Sequence, residues 1–123
     1  MESKELQHGV TAGMSREEKA LLVAAARDLG VPYCLIMRRL VRYILDEKIE
    51  WVELFKETND LAVNDKAKNA GKTIVRTYLS PDMYVAFAQL AEEWGSTTSV
   101  VLKRLVLLYA NGKIERHAIW YCS

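Results

Sequence analysis

Hydrophobic and polar positions follow their clearest pattern between residues 72 and 111, where they predict a strand and two helices. Lys72 to Leu79 is dense in β-branched and aromatic residues, which is typical of a strand. The next residues, Ser80-Pro81-Asp82, offer an N-cap, a proline at the first helical position and an acid in the first turn. A helix with apolar residues at three-to-four spacing is therefore predicted from Ser80 to Gly95, a residue suited to ending it.

The next helix, predicted from about Thr98 to Asn111, is apolar on nearly every side. Ser96 and Thr97 precede it and supply a fresh N-cap. A helix without a polar face must be buried by several neighbours, and a unit of about forty residues is too small to do that alone. We therefore expect this helix to pack against another part of the chain.

The chain repeats itself at an offset of 65 positions, which aligns Val10 with Val75 and Gly30 with Gly95. The longest matches are Arg38-Arg39-Leu40-Val41 with Lys103-Arg104-Leu105-Val106, and Lys48-Ile49-Glu50 with Lys113-Ile114-Glu115. No insertion is needed between these matches, which indicates a duplicated strand-helix-helix unit.

The first copy of this unit is fainter than the second. Ser15 followed by Glu18 is a capping-box pattern, Gly30 ends the first helix, and Pro32 opens the second. The strand from Gln7 to Met14 contains glycine and alanine of low β-propensity, so the repeat alone predicts it.

The repeat also sets the predicted domain boundaries. Residues 1–50 form the first unit, residues 51–71 a linker, and residues 72–123 the second unit with a C-terminal extension, around one shared core. Trp51 to Phe55 is interpreted as a continuation of the preceding helix or a docked turn, and Ile119-Trp120-Tyr121 as a segment that packs back onto the body. The predicted fold class is mainly α with a two-stranded antiparallel β-ribbon.

Composition narrows the classes of function. The 123 residues carry 17 Lys+Arg against 16 Asp+Glu, a formal charge of +1, so a nucleic-acid partner must be met by a local patch. Cys34 and Cys122 lie far apart behind an N-terminus without an apolar leader, which predicts thiols and not a disulfide framework. The apolar runs fall short of the roughly 20 residues that span a bilayer. We expect a cytoplasmic protein with no membrane partner.

The sequence contains only weak signals of a catalytic or metal-binding site. His8 and His117 stand alone, and no Cys/His cluster has metal-ligand spacing. The paired acids Glu17-Glu18 and Glu92-Glu93 are explained as charge on helix surfaces. The sequence therefore predicts no enzyme, no metal site and no cofactor.

The second unit resembles the ribbon-helix-helix superfamily of the Arc and MetJ repressors. The resemblance is carried by Thr73-Ile74-Val75-Arg76-Thr77-Tyr78-Leu79-Ser80-Pro81-Asp82-Met83, Leu90-Ala91-Glu92-Glu93-Trp94-Gly95 and Leu102-Lys103-Arg104-Leu105. It covers about residues 7–50 and 72–115, and two units in one chain are similar to the tandem, TraY-like proteins of plasmid transfer. It implies that two units interlock as a pseudo-dimer, with their strands paired in a ribbon that enters the DNA major groove.

Strand alternation then predicts which side chains the ribbon exposes. If Val75 and Leu79 face the helices, the outward residues of the second strand are Lys72, Ile74, Arg76 and Tyr78. The opposite parity would bury Arg76 at a large desolvation cost. An outward guanidinium can grip guanine O6 and N7, and Ile74 could contact a thymine methyl.

On the first strand, the same alignment turns Gln7 and Thr11 outward as hydrogen-bonding residues, beside Gly9 and Gly13. The two halves of the ribbon would therefore read DNA unequally. The alternative to base contacts is a solvated strand face, with Tyr78 packed on a neighbour.

The resemblance implies a second contact, in which the N-terminus of each unit's second helix holds a phosphate through free N–H groups and the helix dipole. Ser96, Thr97 and Thr98 match this role in the second unit. In the first unit Pro32 removes one N–H, and Tyr33 supplies the hydroxyl. A plain helix cap is the alternative. The pairs Arg38-Arg39 and Lys103-Arg104 are interpreted as solvated edges of a buried helix, with DNA contact as the alternative.

These observations favour a sequence-specific binder of double-stranded DNA in which residues 7–14 and 72–79 of one chain pair as a ribbon. Family analogy implies a transcriptional repressor, or an accessory factor of DNA transfer in a plasmid or phage. Further self-association on DNA is left open. The alternative is a protein-interaction module with the same fold that has lost DNA readout, which the near-neutral charge and the glycine-rich first strand favour.

Overall fold

The structure is a computed structural model, and it describes residues 8–58, 73–115 and 118–120. In chain order the elements are β1 (His8–Met14), α1 (Arg16–Leu29), α2 (Tyr33–Leu45), α3 (Trp51–Thr58), β2 (Thr73–Leu79), α4 (Pro81–Glu93), α5 (Thr98–Ala110) and a 3₁₀ helix, η1 (Ala118–Trp120). The fold is mainly helical with a two-stranded antiparallel sheet, as the sequence pattern predicted.

The helices begin where their capping residues predicted. At the start of α1, the Glu18 N–H donates to Ser15 Oγ at 3.1 Å and the Ser15 N–H donates to Glu18 Oε1 at 2.8 Å, which completes the capping box. Ser80 caps α4 through the N–H of Met83 at 3.3 Å. Helices α1 and α4 therefore each begin with a local signal that satisfies otherwise unpaired backbone donors.

The two strands of one chain pair along their whole length. His8 lies opposite Leu79 at one end of the ribbon, Met14 lies opposite Thr73 at the other, and Thr11 lies opposite Arg76 at the centre. This is the antiparallel pairing that the sequence predicted, although the outermost predicted residues, Gln7 and Lys72, lie outside the described residues.

The inner face of the ribbon covers the core. Its buried side chains are Val10, Ala12, Met14, Val75, Thr77 and Leu79. Helix α2 packs against β2, α5 packs against β1, and the two helices also contact each other. Leu40 of α2 and Leu105 of α5 are fully buried, so α5 has the several neighbours that its apolar surface requires.

Residues 51–58, which the predicted boundaries assign to the linker, form helix α3. The interpretation of Trp51 to Phe55 as a continuation of the preceding helix is wrong, and the alternative of a docked segment is nearer the structure. After α2 the chain turns at residues 46–50, where Glu47 adopts a φ of 61°, and the separate helix α3 then packs on α5. Leu54 is fully buried there. The Arg104 guanidinium lies 4.6 Å from the centroid of the Phe55 ring, and its Nη1 donates to the Phe55 carbonyl at 3.2 Å. Residues 59–71 lie outside the described part of the chain.

The C-terminal segment packs back onto the body, as predicted for Ile119 and Trp120. Ile119 is fully buried, and η1 contacts α2. The Arg39 guanidinium lies 4.9 Å from the centroid of the Trp120 ring. The third residue of the prediction, Tyr121, is outside the described residues.

Among the described residues, no single helix is long and apolar enough to cross a membrane. Helices α1 and α2 reach that length and composition only when taken together, and the pair is bent by 95°.

Candidate nucleic-acid interface

The outer face of the ribbon displays the large side chains of β2. Ile74 is 64% exposed, Tyr78 is 45% exposed, and Arg76 between them is exposed as well. Among the described residues, the Arg76 guanidinium has no hydrogen bond or ion pair. The outward positions predicted for Ile74, Arg76 and Tyr78 are therefore confirmed, and the cation at the centre of the ribbon has no partner within the described part of the chain.

Strand β1 contributes little side-chain volume to this face. The outer cross-strand pairs join Gly9 to Tyr78, Thr11 to Arg76 and Gly13 to Ile74. Gly9 is exposed, and Thr11 and Gly13 are half-buried. Each larger side chain of β2 thus faces a small residue of β1, so the ribbon's chemistry is concentrated on β2.

A helix N-terminus lies beside each strand. The Ser99 hydroxyl in the first turn of α5 donates to the Thr11 carbonyl at 2.8 Å. On the other side, the Thr77 hydroxyl donates to the Cys34 carbonyl in the first turn of α2 at 2.7 Å. The positive ends of two helix dipoles therefore flank the ribbon.

The residues predicted to hold phosphate lie at these two helix starts. Thr97 is exposed, and its Oγ1 accepts the Val100 N–H at 3.3 Å, so its own hydroxyl hydrogen is still available to a ligand. Ser96 and Thr98 are half-buried beside it.

The start of α2 offers fewer hydrogen-bonding groups to a phosphate than the start of α5. Its N-cap is Pro32, which makes no side-chain capping bond. Tyr33 is half-buried, and the Lys19 ammonium lies 5.7 Å from the centroid of its ring. The two flanks of the ribbon therefore differ, as the sequence predicted.

The interpretation of the basic pairs as solvated helix edges is wrong for the second unit. Lys103 is 8% exposed, and its Nζ lies 3.8 Å from Glu18 Oε1. Burial lowers the pKa of Lys103, while the Glu18 carboxylate acts in the opposite direction and Arg104 lowers it further. Burial also lowers the pKa of Arg104, which packs on α3. These cations hold elements of the fold together.

Two sets of structural residues were missed by the sequence reasoning. The first is the stacking of Arg104 on Phe55 and of Arg39 on Trp120: the segments that hold these aromatic residues were predicted to dock, but their arginine partners were not. A signal for these contacts existed. Leu54-Phe55 and Ile119-Trp120 are related by the same offset of 65, so the repeat continues past the point where its identities stop. The second is the pair of Glu18 and Lys103, for which no local pattern gives a signal.

Within the described ranges, no group of three or more His, Cys, Asp or Glu side chains could hold a metal ion. Comparisons of the chain with known protein families, with characterised proteins and with solved structures found no match. Function must therefore be argued from the ribbon and the helix starts that flank it.

Proposed function

We propose that the chain binds double-stranded DNA in a sequence-dependent manner, by inserting its ribbon into the major groove. The observation that carries this proposal is the outer face of β2, where a guanidinium with no partner among the described residues lies between an exposed phenol and an exposed aliphatic side chain. These groups match the donors, acceptors and thymine methyls that base pairs present in the major groove.

The dimensions of the ribbon support this fit. Seven residues of strand span about 23 Å, and two paired strands lie about 5 Å apart, which a groove about 12 Å wide admits. With the ribbon in the groove, the starts of α2 and α5 would point toward the phosphates on either side. Arg76 and Tyr78 would then read bases while Thr97 and Thr98 bind the backbone.

We also propose that the two halves are a tandem ribbon-helix-helix pseudo-dimer. The strand register supports this. Thr11 and Arg76 are cross-strand partners, and they are also equivalent residues of the repeat. The same offset converts the pair His8–Leu79 into the pair Met14–Thr73. Such a register is expected when a local two-fold axis passes between Thr11 and Arg76.

The DNA target of such a ribbon would not be a symmetric palindrome. A true two-fold dimer presents identical side chains from both strands and reads inverted half-sites. Here β2 supplies Ile74, Arg76 and Tyr78, while β1 supplies two glycines and Thr11. The cellular role, a repressor or a DNA-transfer accessory factor, is an extension that the resemblance alone suggests.

The direct test is selection of a duplex from a random-sequence pool, followed by anisotropy titrations at several salt concentrations. We expect one preferred duplex, with an affinity that falls steeply as salt rises because phosphate contacts release counterions. The two separated strands of the same duplex, titrated as controls, should bind more weakly. Failure to enrich any duplex at low salt, with the chain folded, would contradict the proposal.

That negative result would favour the second candidate, a protein-interaction module. A notch of about 350 Å³ lies at the C-terminal end of α2, and it is lined in part by Leu90, Trp94 and the exposed Val52, with Glu47 and Glu50 among its charged residues. Because α2 has 13 residues and starts beside the ribbon, this end lies about 20 Å from the proposed DNA face.

A further inference from the structure

Gly9 lies on the outer face of the ribbon, directly opposite Tyr78. A Cβ atom at this position would lie 3.1 Å from Tyr78 Cε1, 3.5 Å from Tyr78 Cδ1 and 3.7 Å from Arg76 Cδ. The Tyr78 ring therefore leaves a side chain of residue 9 a few tenths of an ångström too little room, while the arginine stem would be in ordinary van der Waals contact with it.

The backbone at Gly9 does not itself require glycine. Among the described residues, the glycines with positive φ are Gly30, Gly95 and Gly112, and Gly9 is not one of them. A glycine inside a strand weakens the strand, and it often marks a place where another group approaches closely. The close approach here is made by the Tyr78 ring, which reaches across onto β1.

We propose that Gly9 is a positioning residue of the ribbon. Its missing side chain lets the Tyr78 ring lie across β1, and this sets where the phenol and the Arg76 guanidinium meet DNA. This inference rests on the proposed function. A ring held against the backbone is already ordered before binding, so less conformational freedom is lost when the complex forms. Gly9 touches no base in this scheme and acts through the two side chains of β2.

The position of the ring can be tested without DNA. A ring lying over Gly9 shifts the NMR resonances of the Gly9 backbone protons through its ring current. We expect Tyr78→Ala to remove that shift. If the Gly9 resonances of the wild-type chain and of Tyr78→Ala coincide, the ring does not lie over β1 and the inference fails.

The functional test replaces Gly9 by valine and measures affinity for the duplex that the wild-type chain selects from a random pool. Valine suits the strand, but its Cβ and methyl groups crowd the Tyr78 ring and displace it from its position over β1. We expect Gly9→Val to melt at the wild-type temperature or above it, and to bind that duplex roughly fivefold to a hundredfold more weakly, the range of one disturbed base contact. In a Tyr78→Ala background the same change should cause no further loss, since the two act as a unit.

A matched glycine variant separates positioning from stability. Gly112 has a φ of 78° and lies outside the ribbon, so Gly112→Ala should lower the melting temperature and leave DNA affinity unchanged well below it. If Gly9→Val binds as tightly as the wild type, or if its loss adds to that of Tyr78→Ala, Gly9 does not position the ring for DNA. If the wild-type chain selects no duplex, the proposed function fails and the role of Gly9 in DNA binding fails with it, while the NMR shift still reports the ring's position.

Discussion

Arg76 stands at the centre of the ribbon, opposite Thr11, with its guanidinium unpaired among the described residues. Arg76→Ala removes no buried contact, so we expect the melting temperature to stay within about 1 °C, well inside the shift of several degrees that 1 kcal/mol produces. Affinity for the selected duplex should fall by about 1–3 kcal/mol, with discrimination lost at one base position. Thermal melts and anisotropy titrations measure the two effects.

A second exposed arginine provides the control for this change. Arg42 lies in the last turn of α2, at the opposite end of that helix from the ribbon, and its exposed ion pair with Asp46 contributes little to stability. Arg42→Ala therefore removes the same charge without touching the proposed DNA face. We expect it to bind DNA nearly as the wild type does. A loss of stability in Arg76→Ala with unchanged binding would show that the outer face of β2 is structural.

Lys103 and Glu18 form a buried pair whose stability depends on pH. The pKa of Lys103 in the folded chain is lowered from 10.5. Between that lowered pKa and 10.5 the unfolded chain therefore binds more protons than the folded chain, and the free energy of unfolding rises with pH across this window. Glu18→Gln removes the charge that raises the Lys103 pKa while keeping an acceptor for the Ser15 N–H. We expect a loss of about 1–3 kcal/mol near neutral pH, where Lys103 is charged, and the loss should shrink as pH rises through the lowered folded pKa of Lys103, below 10.5.

Urea unfolding of the wild type and of Glu18→Gln over a pH series tests this expectation. The neighbouring carboxylate Glu17 is exposed, so Glu17→Gln is the matched control and should stay close to the wild type at every pH. A deficit in Glu18→Gln that is constant with pH would mean that the lost interaction is not with a titrating lysine.

The residues of the ribbon and of the helix starts could be predicted because their signals are local. Ser15 and Ser80 are capping residues that mark where α1 and α4 begin. The alternation of side chains along β2 determines which face of the ribbon holds Arg76. The environment of Lys103 could not be predicted in this way. Its counter-ion is 85 positions away in the chain, and a lysine on an apolar helix looks the same whether its ammonium reaches water or a buried carboxylate.

At the scale of elements, the question for α3 is whether it contributes to the core or only links the two units. Leu54 of α3 is fully buried, whereas Val52 on the same helix is 55% exposed. We expect Leu54→Ala to cost about 2–5 kcal/mol, as truncation of a buried leucine usually does. Val52→Ala should stay within about 0.5 kcal/mol of the wild type. Chemical unfolding measures both, and equal small effects would restore the linker interpretation.

Trp51 to Phe55 was interpreted as a continuation of α2 or a docked turn, and a separate helix α3 was missed for a physical reason. Only eight residues long, it is too short to be stable by itself, and its apolar residues make sense only against the apolar surface of α5. The sequence indicated that the other repeat would bury α5 in one shared core, and it did not indicate that a helix after α2 would also pack on α5. The continuation of the repeat through Leu54-Phe55 and Ile119-Trp120 is the one signal that points to α3 and η1 together.

At the scale of the whole molecule, the two halves hold each other through reciprocal contacts. Arg104 of the second half stacks on Phe55, and Arg39 of the first half stacks on Trp120. These two contacts are related by the repeat, because both the arginines and the aromatic residues are 65 positions apart. Each half therefore extends a tail onto the second helix of the other, in addition to sharing the ribbon and the contact between α2 and α5. Removing either half exposes apolar surface on the half that is left.

This arrangement predicts that the chain is a folded monomer and that its halves cannot fold separately. Both strands of the ribbon come from one chain, so no second copy is needed to complete the core. We expect the mass in dilute solution to be that of one chain, 14.0 kDa, with a melting temperature that does not change on dilution. Residues 72–123 alone would expose Val75, Leu79 and much of α5, and should be unfolded or should pair with a second copy through β2.

Sedimentation velocity over a dilution series, with circular dichroism of the 72–123 fragment, distinguishes this arrangement from its rival. The rival is a swapped assembly in which β1 of one chain pairs with β2 of another, which makes stability depend on concentration. An obligate dimer at the lowest concentration would favour the swap. A folded, monomeric 72–123 fragment would contradict the shared core itself, because α5 could then bury its apolar surface without α2, α3 and β1.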